Sequence, residues 1–318
     1  MTEPTTTAGR RLRLIVDCDP GHDDAIALFV AAAHADIVGI TTVAGNAPLS
    51  ATTNNALVVA DLAGITAEVH AGADRPLVAP PRHAAHVHGH TGLDGPPPRQ
   101  PSRVATSNDA VGWLIETIRG EEGLWLVPVG PLTNIALALR QAPDIAGRLA
   151  GMSLMGGSAG PGNRTATAEF NVWADPEAAA MVFGAGVRPL IMSGLNLTHQ
   201  LFVQDAFVAE LRAVGTPAAT FCADLLGFYI GRYGEMTGHR AAVLHDVCAV
   251  LALTHGSLIA TTERPVAVEL QGEHTRGMTV VDERPGTTDP TNCAVAYTID
   301  RDTALAVVQR AIAAAPGG

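Results

Sequence analysis

The sequence predicts an α/β fold: an open, mostly parallel sheet flanked by helices, with a small antiparallel C-terminal addition. Three observations predict it. Short β-branched or leucine-rich runs alternate with helical patterns at the spacing of βαβ units. The chain has 318 residues, 47% of them apolar, enough to bury a large core. Polar or glycine-rich clusters stand just beyond the strand-like runs, where an open α/β sheet presents its ligand site.

The elements follow in order. LRLIVD (12–17) fits a buried strand, DDAIALFVAAAHA (23–35) a helix, and DIVGITTVAG (36–45) a second strand, followed by a helix over roughly Leu49 to Leu62. GLWLVPVG (123–130) reads as a strand and PLTNIALALR (131–140) as a helix, with Pro131 suited to its first turn. LAGMSLMGG (149–157) and RPLIMSG (188–194) are strand-like. Between them WADPEAAAMVFGAG (173–186) is a helix with Asp175 as N-cap and Pro176 in the first turn. Helical patterns cover about 203–214, 217–233 and 246–255, and PVAVELQG (265–272) pairs with GMTVVDE (277–283) as antiparallel strands. The Pro/Gly/His-rich stretch 79–101 reads as a long loop over a site. We expect one domain, 1–318, with flexible tails at 1–10 and 314–318.

Composition narrows the function. The formal net charge of -11 argues against nucleic acid or an anionic membrane as partner. No residue is lysine, so all twenty basic side chains are arginine. This excludes a Walker A phosphate loop, a lysine Schiff base and a lysine general base. Cys18, Cys222, Cys248 and Cys293 form no CxxC, which fits reduced core thiols in a cytoplasmic protein. The polar start carries no apolar secretory core, and no stretch has the length and composition of a membrane span.

The densest chemistry lies in DCDPGHDD, which packs Asp17, Asp19, Asp23 and Asp24 between the first strand and the first helix. A helix N-terminus offsets the charge of one or two carboxylates. A cluster of four calls for a cation, and carboxylate-rich oxygen ligation suits Ca²⁺ or Mg²⁺. A DxD phosphotransferase loop is a poor match, because Pro20-Gly21 follows Asp19 and lysine is absent. Other strand ends offer Asn46, the Val129 carbonyl, the trio Asn163, Glu169 and Asn171, and the pair His245-Asp246. One cation, several amides and carboxylates and a histidine suit a polyhydroxylated ligand such as a sugar.

DCDPGHDDAIAL, TTVAGN, VHGHTGLDG, VGPLTNIALA, LMGG, AEFNVWADPEAA and LHDVCAV resemble, in order and nearly in spacing, the motifs of the inosine-uridine preferring nucleoside hydrolase family. The resemblance implies a nucleoside hydrolase-like domain. It further implies hydrolysis of the N-glycosidic bond of ribonucleosides to base and ribose. Position by position, it makes Asp19, Asp24, the Val129 carbonyl and Asp246 the ligands of Ca²⁺. Asp23 and Asn171 then hold ribose hydroxyls, Asn163 and Glu169 the 5′-hydroxyl side, with Asn46 alongside, and Asp17 orients the loop. Asp19 becomes the general base on an activated water, and His245 the proton source for the leaving base. His88 is expected to contact the substrate and Tyr233 to approach the base, with Tyr229 on the same segment.

His22 replaces an apolar residue of the family pattern and receives no role, and His86 and His90 are equally unassigned. Purine or pyrimidine preference is open. The alternatives are another N-riboside as substrate, such as nicotinamide riboside, or a non-catalytic sugar-binding protein on the same scaffold. The expected assembly is a homodimer or homotetramer.

Overall fold

The structure, a computed structural model, describes residues 11–316. The expected tail at 1–10, and residues 317–318 of the C-terminal one, lie outside the described residues. Strands β1 (Leu12–Cys18), β2 (Ala35–Thr42), β3 (Glu68–Ala71), β4 (Leu124–Pro128), β5 (Gly151–Met155) and β6 (Leu190–Ser193) alternate with helices, all but β3 where the sequence predicts a strand. Two short antiparallel pairs stand apart: β7 (Phe202–Val203) with β8 (Ala242–Val243), and β10 (Val266–Val268) with β11 (Thr279–Val281). Strands β9 (Ile259–Arg264) and β12 (Cys293–Ile299) complete the main sheet, whose order is β3-β2-β1-β4-β5-β6-β12-β9. Every neighbour pair in it is parallel except β12 with β9 at the edge.

The chain runs outward from β1 to β3, returns to β4 and then proceeds the other way. The order therefore reverses between β1 and β4, and a crevice opens beyond their carboxyl ends, the position where such sheets bind ligands. Period-two alternation along β1 feeds two cores. Leu14, Val16 and Cys18 pack with the helices His22–His34, Leu49–Ala63, Pro217–Thr237, Val247–Thr254 and Arg301–Ala313. Ile15 packs on the opposite face with Ala110–Gly120, Thr133–Gln141 and Pro176–Gly184.

Helix His22–His34 is buried from His22 through Ala31, which explains its apolar character on every side: it lies between the sheet and further helices. The buried helix carries Asp23 and Asp24 on its first turn, so its packing sets where these carboxylates stand.

Two expectations need correction. Helix Thr133–Gln141 starts two residues beyond Pro131. Gly130 and Pro131 are used instead in the turn leaving β4: a Cβ on Gly130 would meet an Asp19 oxygen at 2.5 Å, and the Pro131 ring abuts Gly45. Strands β3, β7, β8, β9 and β12 were not foreseen.

Phe29 is 1% exposed in the first core. Phe29→Ala should cost about 3–5 kcal/mol through lost burial and the cavity left behind. Equilibrium urea unfolding measures this, and a loss below about 1 kcal/mol would show that the helix is not anchored by its apolar packing.

Candidate active site

Asp17, Cys18 and Asp19 close β1, Pro20-Gly21 turns, and Asp23-Asp24 open the helix. Asp17, Asp19 and Asp24 are fully buried and Asp23 nearly so. Asp17 turns toward the sheet: its Oδ1 accepts from the Thr41 hydroxyl at 2.5 Å and the Asn134 amide at 2.7 Å, and its Oδ2 has no partner. Its carbonyl accepts from the Val129 amide, fastening β1 to the end of β4. Burial raises its pKa to about 7.

Asp19 is held between two glycines. Its Oδ2 accepts from the Asn46 amide at 2.6 Å, and its buried Oδ1, beside Gly130, has no hydrogen-bond partner. Any Cβ on Gly45 would overlap Oδ2, so only glycine lets this carboxylate stand upright in the crevice. Asp24 accepts from the Asp19 and Gly21 amides and from the Asn46 side chain. Asp246, at the start of helix Val247–Thr254, arrives opposite, because Leu244 is tied to Leu201 next to the β7–β8 pair. Asp23 accepts from the His245 and Asp246 amides.

Ligand-type oxygens of Asp23, Asp24 and Asp246 lie within 4.8 Å of one another, the one such acidic, histidine or cysteine group among the described residues. Asp19 stands beside this trio rather than in it. Burial raises the pKa of all four carboxyls and their mutual repulsion raises it further for Asp19, Asp23 and Asp246; Asp23 is pushed up to about 8. An orphaned carboxylate oxygen beside three crowded acids is a donor set that fits a divalent cation.

A cavity of about 300 Å³ opens over these acids. Asp23, Asn46, Val129, Asn163, Glu169 and Asn171 line it. Glu169 caps the short helix Phe170–Ala174, accepting from the Asn171, Val172 and Gly157 amides. Asn171 donates to the Val129 carbonyl at 2.8 Å, and Asn163 accepts from the Phe170 amide at 3.0 Å. His88, Tyr229, Tyr233 and His245 belong to the same lining. The His245 Nδ1 lies 2.7 Å from the Thr198 hydroxyl, and burial drops its pKa to about 3, which leaves a neutral imidazole.

The structure places every sequence-predicted site residue except Asp19 and Asp24 on the lining of this cavity; Asp24 groups with the lining residues Asp23 and Asp246, and Asp19 is tied to Asp24 and Asn46. Of the unassigned histidines, His86 borders the cavity, whereas His90 only donates its amide to Asp94. Sequence reasoning missed His199, Arg164, Phe170, Thr198 and Asn134. His199 and Thr198 follow the end of β6 by a few residues, so the strand-end rule that singled out Asn46 also reaches them.

The sequence profile described as inosine-uridine preferring nucleoside hydrolase matches residues 14–306. The chain belongs to this family. As a nucleoside hydrolase it is an enzyme that hydrolyses ribonucleosides to base and ribose. It is 41% identical over 303 residues to a pyrimidine-specific ribonucleoside hydrolase, RihB, of Escherichia coli, which covers 94% of this chain and 96% of the relative. The nucleoside hydrolase fold also matches a purine-preferring ribonucleoside hydrolase from Gardnerella vaginalis, with a TM-score of 0.88 and 30% identity over 95% and 98% of the two chains. A plant nucleoside hydrolase, the PpNRh1 enzyme, gives 0.89 and 29% over 96% and 99%.

The raised carboxyl pKa values have a measurable consequence. A carboxyl lifted from its ordinary value to about 7 or 8 stabilises the fold at low pH and loses that contribution as pH rises through the folded value. The Tm of chelator-treated protein should fall between about pH 5 and about pH 8.5. Cation binding displaces the protons, so added calcium chloride should raise Tm more at the higher pH. Scanning calorimetry reads both, and an equal calcium shift at the two pH values would contradict the assignment of these acids to a cation.

Proposed function

We propose that this nucleoside hydrolase prefers pyrimidine ribonucleosides and works with Ca²⁺ held by Asp19, Asp24, Asp246 and the Val129 carbonyl. One observation carries the reading: buried carboxylates, a neutral histidine and two tyrosines line one cavity. The 41% identity to a pyrimidine-specific relative supports the base preference. So does the lining itself, in which no tryptophan takes part among the described residues.

The C1′–N bond of a ribonucleoside breaks through an oxocarbenium-like state. Asp23 and Asn171 bind the ribose hydroxyls, while Asn163 and Glu169 hold the 5′ side, with Asn46 alongside. As positive charge develops on the ring, the carboxylates facing it stabilise the transition state more than the ground state. A divalent cation held by Asp19, Asp24, Asp246 and the Val129 carbonyl would supply Lewis acidity that makes an attacking water easier to deprotonate. Asp19 keeps a buried oxygen without a hydrogen-bond partner beside the acid cluster, and it takes the proton from the attacking water. Two carboxylates without a covalent sugar intermediate correspond to the inverting logic of glycosidases.

His245 serves the leaving base. With Nδ1 engaged by Thr198, its Nε2 is the nitrogen left for the substrate. Because burial keeps the ring neutral, it acts as an N–H donor to the departing nitrogen. His88 and Tyr233 complete the base side. We further read 1–318 as one cytoplasmic domain that assembles as a homodimer or homotetramer.

Asp19→Ala should lower kcat by at least about 1,000-fold with a folded protein of normal far-UV spectrum; near-normal turnover would remove Asp19 as the base. His245→Ala should cost about 100-fold on uridine and under about 5-fold on a nitrophenyl riboside, whose leaving group needs no proton. Equal losses on both would exclude it as the donor. Base release measured across uridine, cytidine, inosine, adenosine, guanosine and nicotinamide riboside, with and without chelator, tests the preference directly. Faster turnover of inosine than of uridine would overturn it.

A further inference from the structure

His22 stands in the middle of the acidic turn, is fully buried and takes no part in the scheme above. Its ring stacks on Phe228, Tyr229 and His88, with centroid separations of 5.3, 5.2 and 5.2 Å. Its Nε2 lies 2.9 Å from the Asp94 carbonyl oxygen, and its Nδ1 lies 3.0 Å from His88 Nδ1. Gly21 permits the approach: a Cβ there would meet His88 Nδ1 at 2.6 Å.

These contacts fix protons. A carbonyl oxygen only accepts, so Nε2 of His22 carries a hydrogen. The ring is fully buried and no carboxylate bonds it, so it is neutral and its Nδ1 is bare. Nδ1 of His88 must then donate across the 3.0 Å contact. His88 is itself kept neutral by burial, so its Nε2 carries a lone pair. That nitrogen has no hydrogen bond within the described residues and belongs to a ring that lines the cavity. A competing contact exists: the His22 amide lies 3.3 Å from His88 Nδ1 and would favour the opposite tautomer. The shorter ring-to-ring contact opposes it, because two bare nitrogens would then face each other.

We propose that His22 is a positioning residue that fixes His88 as the Nδ1–H tautomer, so that His88 presents an acceptor to a hydroxyl or N–H donor of the bound ribonucleoside. The same imidazole ties the loop that supplies His88 to the acidic turn. Asp94, whose carbonyl it bonds, also holds the His90 and Thr91 amides with its carboxylate, and Asn55 bridges the Thr91 and Pro20 carbonyls. The substrate contact rests on the nucleoside hydrolase reading; the tautomer does not.

The test uses the full-length enzyme labelled with ¹⁵N-histidine, with the His88 signals identified by their loss in His88→Gln. In the parent, Nδ1 of His88 should resonate as a protonated nitrogen and Nε2 as a bare one; the reverse would overturn the proposal without any substitution at His22. His22→Phe keeps the stack but removes the acceptor, leaving the backbone amide as partner, so His88 should switch tautomer. kcat/KM should then fall about 10- to 100-fold, the effect of turning an acceptor into a donor against the substrate. His22→Asn restores an acceptor near Nδ1 and should recover kcat/KM to within about 5-fold of the parent. A tautomer switch with unchanged kcat/KM, or an unchanged tautomer in His22→Phe, would refute the positioning role. A parent that shows the expected tautomer but hydrolyses no nucleoside would instead count against the catalytic reading.

Discussion

The burial of like charge at the carboxyl end of β1 is the constraint around which the molecule is arranged. Two carboxylates near 4.8 Å apart, the outer limit within the Asp23, Asp24 and Asp246 trio, repel by about 3–4 kcal/mol at an effective dielectric constant of about 20. Three such pairs come to about 10 kcal/mol, comparable with the whole stability of a typical domain. Amide donors from Asp19, Gly21, His245 and Asp246 relieve part of this, and the remainder must be met by protons or by a cation. The fold places the cluster where such a solution is usable, at the reversal of strand order between β1 and β4, open to the cavity.

Much of this was legible in the sequence because the signals are local. Alternating strand and helix patterns gave the parallel sheet, Asp175 and Pro176 marked a helix start, and DCDPGHDD stood out by charge density alone. What escaped depends on partners distant along the chain. His22 made no sense locally because its contacts come from His88, Asp94 and Phe228, each brought in by tertiary packing. Strand β9 is exposed along most of its length and so carries no apolar signature of a central strand, whereas β12, an apolar run after the turn-rich PGTTDPTN, carried a signal that was passed over. Pro131 misled because the turn leaving β4 serves Asp19 before it serves the helix.

The cavity lining combines two kinds of group: buried carboxylates, which favour positive charge, and histidine and tyrosine rings, which offer hydrogen bonds and flat faces. Trp173, the tryptophan nearest this region, is covered by Arg82 at 4.0 Å and Arg164 at 4.7 Å from its ring centroid. Its indole is thus occupied by guanidinium groups, while the smaller rings of Tyr229 and Tyr233 line the cavity.

The reversal of strand order also governs when the site comes into being. Asp19 and Asp24 are made within the first two dozen residues, Val129 belongs to the next strand across the reversal, and Asp246 is reached only after three quarters of the chain. During synthesis the early acids emerge without the groups that complete their surroundings. Unburied, they keep the ordinary carboxylate range and stay ionised; packing is what raises their pKa, so the charge of the cluster is resolved only as the later groups close around it.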